Sequence, residues 1–291
     1  MRSPREPTAD QRDIRLASGR LRAHLWAFTS PDAPTVMCVP GLSSNATGFD
    51  RLAADLVAEG RQVVALDLRG RGASDRTRPG TYGWPAHAAD VAGVASALGL
   101  RRFDVVGHSM GAYVAMELAA AEPDRVRRLV LIDGAGAPEP EALEIIGKGL
   151  ERLDRWHDSE DAYLEAVRAG GVVSPWSELW ERFYRYELEH RADGKVRSLT
   201  SLAAVLEDVE WGRSHRQDAL WPRLSCPTLL MTAAVPLGDG RGFVVAPADK
   251  ARFLEAVPGS AVTSVDANHF GILTDPATSE AIRAFLRART A

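Results

Sequence analysis

Short runs of consecutive apolar residues alternate with amphipathic stretches along most of this chain. Uninterrupted runs such as Thr35–Val39 and Gln62–Asp67 predict strands that are buried on both faces of a sheet. Amphipathic stretches such as Phe49–Glu59 predict helices between them. The same rhythm predicts further strands at 103–106, 128–133, 228–233 and 261–265, and further helices at about 86–98, 112–120, 248–257 and 276–289. This alternation predicts an α/β protein whose parallel sheet is covered by helices on both faces.

The alternation of predicted strands and helices is interrupted at two places. Residues 1–12 are polar and predict a flexible N-terminal arm, and two short alternating segments then predict a hairpin that turns at Ser18-Gly19. From 138 to 223 the pattern is helical and amphipathic, with no convincing strand, and the next predicted strand is 228–233. The expected organisation is therefore an arm (1–12), a core made of 13–137 and 224–291, and a helical insertion (138–223).

One stretch near the middle of the chain carries recognisable chemistry. Gly107-His108-Ser109-Met110-Gly111 follows a predicted strand and directly precedes a predicted helix. A strand, a sharp turn and a helix in that order are the context of a G-x-S-x-G nucleophile elbow. Glycine is needed on both flanks because a side chain there would collide with the neighbouring strand or helix. The pattern therefore predicts that Ser109 is a nucleophile presented at the start of a helix.

A serine hydroxyl is a weak nucleophile and needs a base that accepts its proton. Histidine suits this role because its usual pKa lies near neutral pH. Of the seven histidines, only His269 follows directly after the last predicted strand, at the edge of the sheet where the elbow opens. His108 is adjacent to the nucleophile and is expected to pack and shape the turn. His269 is therefore the predicted base.

Four segments together resemble an α/β-hydrolase with a helical cap, of the serine esterase or lactonase kind. They are the elbow, Pro40-Gly41-Leu42, the loop from Asp67 to Ser74, and Asn268-His269-Phe270. The resemblance implies an eight-stranded, mostly parallel sheet and makes the helical insertion a cap. It also implies an oxyanion hole formed by the backbone N–H groups of Leu42 and Met110. A His-Gly pair is common where this chain has Pro40-Gly41, but proline leaves the Leu42 donor in place.

The third catalytic residue should be a carboxylate that orients the imidazole. The commonest family pattern places it after the strand 228–233, where Asp239 is the only carboxylate in 234–242. Some relatives, among them haloalkane dehalogenases and zearalenone-type lactonases, instead carry the acid on the strand after the elbow, which here ends at Asp133. Asp133 is favoured because a strand end is more rigid than a glycine-flanked loop. Asp239 remains the alternative.

Composition narrows the range of partners. Hydrophobic residues make up 45% and charged residues 25% of the 291 residues, and the net charge is −4, so no nucleic-acid partner is expected. No apolar run approaches a membrane span and the first residues lack a signal-peptide core, so no membrane partner and a cytoplasmic location are expected. Cys38 and Cys226 are expected as buried thiols, although the sequence leaves their pairing open. No metal or nucleotide motif occurs, so no cofactor is expected.

The residues and the resemblance together predict a serine hydrolase that cleaves a carboxylic ester or lactone through an acyl-enzyme. Five of the seven tryptophans lie in the insertion, which indicates either an apolar or aromatic small-molecule substrate or simple packing of the cap. A carbon–carbon bond hydrolase, an acyltransferase and a non-catalytic small-molecule receptor of the same fold are the alternatives. The sequence leaves open whether the chain is a homodimer.

Overall fold

The computed structural model describes residues 8–288, and these residues form ten strands. In chain order the strands are β1 (Asp10–Leu16), β2 (Gly19–Trp26), β3 (Thr35–Val39), β4 (Gln62–Leu66), β5 (Phe103–His108), β6 (Val126–Ile132), β7 (Leu188–His190), β8 (Val196–Ser198), β9 (Thr228–Ala233) and β10 (Ala261–Val265).

The described residues also form nine α-helices, which alternate with the strands of the core. They are α1 (Asp50–Val57), α2 (Trp84–Ala97), α3 (Met110–Ala121), α4 (Pro140–Gly149), α5 (Glu160–Ala169), α6 (Glu178–Tyr186), α7 (Leu202–Ser214), α8 (Pro247–Ala256) and α9 (Pro276–Arg287). Short 3-10 helices cover Ala46–Phe49, Leu150–Arg152, Gln217–Arg223 and Gly271–Leu273.

Eight of the strands form one sheet in the order β1-β2-β4-β3-β5-β6-β9-β10. Strand β2 runs antiparallel to both of its neighbours, β1 and β4, whereas the six strands from β4 to β10 in this order are parallel to one another. Successive residues of the central strands contribute to different cores: Met37 packs with one face of the sheet and Cys38 with the other. Helices α2, α3 and α8 cover the first face, and α1 and α9 cover the second. The predicted fold class and the predicted hairpin are confirmed.

The first strand begins earlier than expected. It starts at Asp10, inside the predicted arm 1–12, and pairs with β2 from Asp10 opposite Leu25. Residues 10–12 are polar and exposed, so they contain no apolar position that would extend the predicted strand back to Asp10. The prediction of an arm extending to residue 12 is therefore wrong for 10–12. Residues 1–7 lie outside the described part of the chain.

The insertion between β6 and β9 contains helices α4–α7, as the pattern predicts, but it also contains a small antiparallel sheet. Strands β7 and β8 pair over only three residues each, from Leu188 opposite Ser198 to His190 opposite Val196. Strands this short do not show a period of two in the sequence, so the expectation of an insertion without strands is wrong.

The end of the insertion also differs from the prediction. Leu220 and Trp221, in the 3-10 helix Gln217–Arg223, are buried in the core with residues of α3 and α8. The segment that covers the elbow therefore ends near His215 rather than at 223, because the apolar side chains that follow face the main core. We call the segment 138–215 the cap from here on.

Candidate active site

Ser109 lies in the turn between β5 and α3, near the middle of the sheet. Its backbone has φ +55° and ψ −124°, a strained conformation for a residue with a side chain. The turn is tight enough to exclude side chains on both flanks. A Cβ on Gly107 would lie 2.2 Å from the carbonyl oxygen of Gly111, and a Cβ on Gly111 would lie 2.0 Å from the carbonyl oxygen of Val39. The steric reason given for the two glycines therefore holds.

The side chains of Ser109, His269 and Asp133 form one hydrogen-bonded row. Oγ of Ser109 lies 2.9 Å from Nε2 of His269, and Nδ1 of His269 lies 2.7 Å from Oδ2 of Asp133. His269 and Asp133 are both buried. Because the carboxylate accepts a hydrogen bond from Nδ1–H, the lone pair of the neutral imidazole is on Nε2 and faces the serine hydroxyl. This is the arrangement that general-base activation of a serine requires.

Asp133 is held in this position by the neighbouring strand β9. Its N–H donates to the carbonyl oxygen of Met231 at 2.7 Å, and its Oδ1 accepts from the N–H of Ala233 at 3.0 Å. Asp133 has φ +46°, a left-handed conformation that aspartate tolerates better than most residues. Asp239, by contrast, is exposed at the tip of a turn closed by the N–H of Gly238 and the carbonyl of Arg241. The structure therefore brings Asp133, not Asp239, to His269.

His108 supports the backbone of His269. Its Nε2–H donates to the carbonyl oxygen of His269 at 2.9 Å, and the two rings stack with their centroids 4.7 Å apart. Burial holds the pKa of His108 well below its ordinary value, so this imidazole is neutral at physiological pH. The structure agrees with a packing role for His108 and adds a specific one, because His108 fixes the loop that carries His269.

The loop after β3 passes directly beside the elbow. A Cβ on Gly41 would lie 3.1 Å from Cβ of Ser109, and the N–H of Ser44 closes a turn onto the carbonyl oxygen of Gly41 at 3.2 Å. In a planar trans peptide the N–H points away from the carbonyl, so this bond orients the N–H of Leu42. Within the described chain, neither Leu42 N–H nor Met110 N–H donates to a backbone acceptor. Among the described residues, both N–H groups are therefore without a backbone partner.

A cavity of about 280 Å³ lies between the elbow and the cap. Ser109, His269 and Leu42 line it on the core side. The cap contributes apolar and aromatic residues, which are Ile145, Ile146, Val167, Val173, Trp180, Phe183 and Tyr184 among others. The cap lining also contains charged and polar residues, namely Lys148, Glu151, Arg152, Arg155 and His157.

The five tryptophans of the predicted insertion do not all face this cavity. Only Trp180 is among its lining residues. Trp221 packs edge-on against Phe253 in the main core, and Trp211 stacks on His215. The tryptophan content of the insertion therefore reflects packing more than substrate contact.

Sequence reasoning missed two arginines beside the site. Arg71 donates from Nε to the carbonyl oxygen of Leu42 at 3.0 Å, and Arg152 donates from Nη2 to the carbonyl oxygen of Ser43 at 3.3 Å. Arg71 lies in the loop from Asp67 to Ser74 that carries the resemblance, which was the only available signal. Nothing in the local sequence distinguishes Arg152 from the many other arginines of the chain.

Two further expectations concern the rest of the chain. Cys38 and Cys226 are both free thiols, and burial raises the pKa of each. Among residues 8–288, no helix is both long enough and apolar enough to cross a membrane.

The sheet order, the elbow at its centre and the buried Asp–His–Ser row define a hydrolase of the α/β class. A family model described as alpha/beta hydrolase fold matches residues 34–170. A Klebsiella pneumoniae protein named "Putative carbamate hydrolase RutD" is 30% identical over 243 residues, which are 82% of this chain and 85% of that protein. The chain belongs to the α/β-hydrolase family, which confirms the resemblance seen in the sequence.

Other relatives agree with this assignment. A Danio rerio protein named "Serine hydrolase-like protein" is 38% identical over 119 residues, which are 40% of this chain and 36% of that protein. The match therefore spans little more than a third of the length of that relative. The crystal structure of an E-2-(acetamidomethylene)succinate hydrolase superposes with a TM-score of 0.83 at 25% identity, covering 96% of this chain and all of that one.

Proposed function

We propose that this protein is a serine hydrolase that cleaves a carboxylic ester or lactone through an acyl-enzyme intermediate. The observation that carries the proposal is the unbroken row from Oγ of Ser109 through His269 to Asp133, with distances of 2.9 Å and 2.7 Å. In that row Ser109 is the nucleophile, His269 is the general base and then the general acid, and Asp133 orients and stabilises the imidazole.

The proposed reaction has two halves. Oγ of Ser109 attacks the carbonyl carbon while Nε2 of His269 takes the hydroxyl proton, and the carbonyl electron pair moves onto oxygen. The N–H groups of Leu42 and Met110 stabilise this oxyanion, and each such donor contributes roughly 3 kcal/mol to the barrier reduction. The oxyanion then collapses, the alcohol leaves with the proton from His269, and Ser109 is acylated. Water, deprotonated by His269, attacks the acyl group and releases the acid.

The cavity supports a substrate of modest size with an apolar or aromatic body. About 280 Å³ is at the small end for a ligand site. The aromatic side chains Trp180, Phe183, Tyr184 and Phe270 line this cavity together with Ser109. An ester or lactone of medium chain length fits this description better than a long-chain lipid.

A second candidate is hydrolysis of an acyl–nitrogen bond by the same residues. It is supported by the names of two relatives, the protein named "Putative carbamate hydrolase RutD" at 30% identity and the E-2-(acetamidomethylene)succinate hydrolase at 25% identity. The same acyl-enzyme chemistry would apply, with an amine instead of an alcohol as the leaving group.

The test is a substrate panel with a matched pair of serine variants. p-Nitrophenyl esters from acetate to octanoate, a set of lactones and p-nitrophenyl carbamates would be compared for the parent, Ser109→Ala and Ser96→Ala. Ser96 is an exposed serine of α2 that bonds to the carbonyl of Ala92, so its variant controls for loss of a hydroxyl. We expect ester or lactone turnover that Ser109→Ala reduces by at least about 10³-fold and Ser96→Ala leaves unchanged.

Three other outcomes would overturn the proposal. Turnover that persists in Ser109→Ala would show that Ser109 is not the nucleophile. Efficient cleavage of carbamates but not of esters would favour the second candidate. Saturable binding without product, measured by calorimetry with the same compounds, would indicate a receptor.

A further inference from the structure

The loop that presents the Leu42 N–H is held by two arginines at successive carbonyl groups. Nε of Arg71 donates to the carbonyl oxygen of Leu42 at 3.0 Å, and Nη2 of Arg152 donates to the carbonyl oxygen of Ser43 at 3.3 Å. Arg71 belongs to the core loop after β4, whereas Arg152 belongs to the cap. These are the first two carbonyls that follow the Leu42 N–H along the chain.

Arg71 is paired with a carboxylate of the cap. Its Nη2 donates to Oδ2 of Asp208, which lies on α7, and neither side chain is exposed to solvent. Oδ1 of Asp208 accepts from the N–H of Gly83 at 2.7 Å, and Nε2 of His87 lies 2.9 Å from Oδ2. Burial acts to raise the pKa of Asp208, but His87 and Arg71 outweigh it and the pKa is lowered. Asp208 is therefore a buried anion that fixes the guanidinium of Arg71.

Arg152 is paired with a second carboxylate of the cap. Its Nη2 lies 3.3 Å from Oε1 of Glu187, at the end of α6, and its Nε lies 3.1 Å from the hydroxyl oxygen of Tyr163. The Tyr163 hydroxyl donates to the same Oε1. Glu187 is fully buried, and Nη1 of Arg152 donates to the carbonyl oxygen of Gly149 at 2.8 Å. The guanidinium is thus oriented by three cap groups before it reaches Ser43.

Both arrangements are sensitive to the loss of one partner. Removing one member of a buried ion pair leaves an uncompensated charge, which must move toward solvent or toward other partners. Here each guanidinium also bonds to a carbonyl of residues 40–44, which we call the oxyanion loop because it carries the Leu42 N–H, so such a movement would carry that carbonyl with it. A displacement of about 1 Å in a catalytic group is enough to slow a reaction by roughly 100-fold.

We propose that Asp208 and Glu187, both in the cap, are positioning residues for the oxyanion hole, acting through Arg71 and Arg152 on the loop that carries Leu42. Docking of the cap and assembly of the oxyanion hole are then a single event. This inference rests on the proposed function, because it assigns a catalytic consequence to the Leu42 N–H.

The experiment measures kcat and KM separately for Asp208→Asn and Glu187→Gln with the best ester of the panel. Both substitutions keep the shape of the side chain and remove its charge. We expect kcat to fall by about 10- to 100-fold with KM changed less than about threefold, because the oxyanion forms only in the transition state. The inhibition constant of a trifluoromethyl ketone, which forms a tetrahedral adduct on serine, should rise by the same factor as kcat falls.

The matched control is Asp104→Asn. Asp104 is also a fully buried carboxylate paired with arginines, including Arg61 at 3.1 Å, but it lies on β5 at the end opposite the elbow. Asp104→Asn should lower the free energy of unfolding about as much as Asp208→Asn and Glu187→Gln do, but it should not lower kcat as they do. Equal kcat losses in all three variants, or a change confined to KM, would overturn the inference.

Two further measurements keep the inference testable if a variant folds poorly or is inactive. Arg152→Lys keeps a positive charge beside Glu187, but its single ammonium group cannot bond to Glu187 and to the carbonyl oxygen of Ser43 at the same time. This variant should therefore also lower kcat while leaving KM nearly unchanged. Hydrogen exchange of the peptide spanning 40–45 should be faster in Asp208→Asn and Arg152→Lys than in the parent and Asp104→Asn, and unchanged exchange would overturn the inference. Exchange does not depend on turnover, so it separates this inference from the proposed function, which fails instead if Ser109→Ala stays active.

Discussion

Asp133 and His269 are 136 positions apart in the chain, yet Oδ2 of the aspartate lies 2.7 Å from Nδ1 of the histidine. The other carboxylate oxygen accepts from the N–H of Ala233, so both oxygens have a defined partner and the side chain has little freedom to rotate. A carboxylate fixed in this way holds the proton of His269 on Nδ1 and leaves Nε2 to accept the proton of Ser109. This relationship fixes which acid serves the proposed reaction.

Replacing Asp133 by asparagine should therefore nearly abolish activity. An amide in place of the carboxylate favours the wrong imidazole tautomer and cannot stabilise the imidazolium, so we expect kcat to fall by about 10⁴-fold. Asp239→Asn is the matched control and should retain activity, since Asp239 is exposed at a turn tip. Steady-state kinetics on the best ester of the panel would measure both variants. Loss of activity in Asp239→Asn, with Asp133→Asn still active, would reverse the assignment.

His108 should affect catalysis through the position of His269 rather than by proton transfer. His108→Ala leaves the carbonyl of His269 without its 2.9 Å donor, and we expect kcat to fall by up to about 100-fold with little change in KM. In His108→Gln the side-chain amide can donate to the same carbonyl, so this variant should recover most of the loss. If both variants were equally impaired, the hydrogen bond to His269 would not be the cause.

Stability should decline as the pH falls below about 6.5, the pKa of histidine in an unfolded chain. Burial lowers the pKa values of His24, His87 and His108 in the folded protein, so the unfolded state binds protons that the folded state does not. Their contribution to stability is complete above this pH and is lost, by at most about 1.4 kcal/mol per pH unit for each histidine, as the pH falls toward the folded pKa values.

Urea unfolding between pH 5 and pH 8 would measure this dependence. In His108→Gln the free energy of unfolding should fall less steeply as the pH is lowered. The slope should be smaller than that of the parent by up to about 1.4 kcal/mol per pH unit, which is the largest contribution of a single histidine. A slope identical to that of the parent would mean that the pKa of His108 is not lowered on folding.

The two glycine positions Gly111 and Gly147 should respond in opposite directions to alanine. Gly111→Ala places a Cβ 2.0 Å from the carbonyl oxygen of Val39, so it must displace β3 or α3 and should prevent formation of the elbow. Gly147 lies in α4, and a Cβ there meets nothing within 4 Å, so Gly147→Ala should stabilise the protein by about 0.5–1 kcal/mol. Thermal unfolding and esterase activity would be measured for both, and a folded, active Gly111→Ala would contradict the described turn.

The sequence by itself determined the class of fold, the elbow at Ser109 and the place of His269. These features depend on local patterns: apolar runs such as Thr35–Val39 mark buried strands, and glycines at 107 and 111 mark a turn too tight for side chains. Where a local pattern was weak, the prediction was wrong. The first three residues of β1 are polar and exposed, so the pattern assigned them to the arm, and strands β7 and β8 are too short to show a period of two.

Only the tertiary structure decided between Asp133 and Asp239, identified Trp180 as the one cap tryptophan that lines the cavity, and joined Arg71 and Arg152 to the oxyanion loop. Each of these depends on contacts between residues far apart in the chain. Arg71 and Asp208, for example, are separated by 137 positions. No local preference encodes such a pair, because its geometry exists only once the sheet and the cap have packed together.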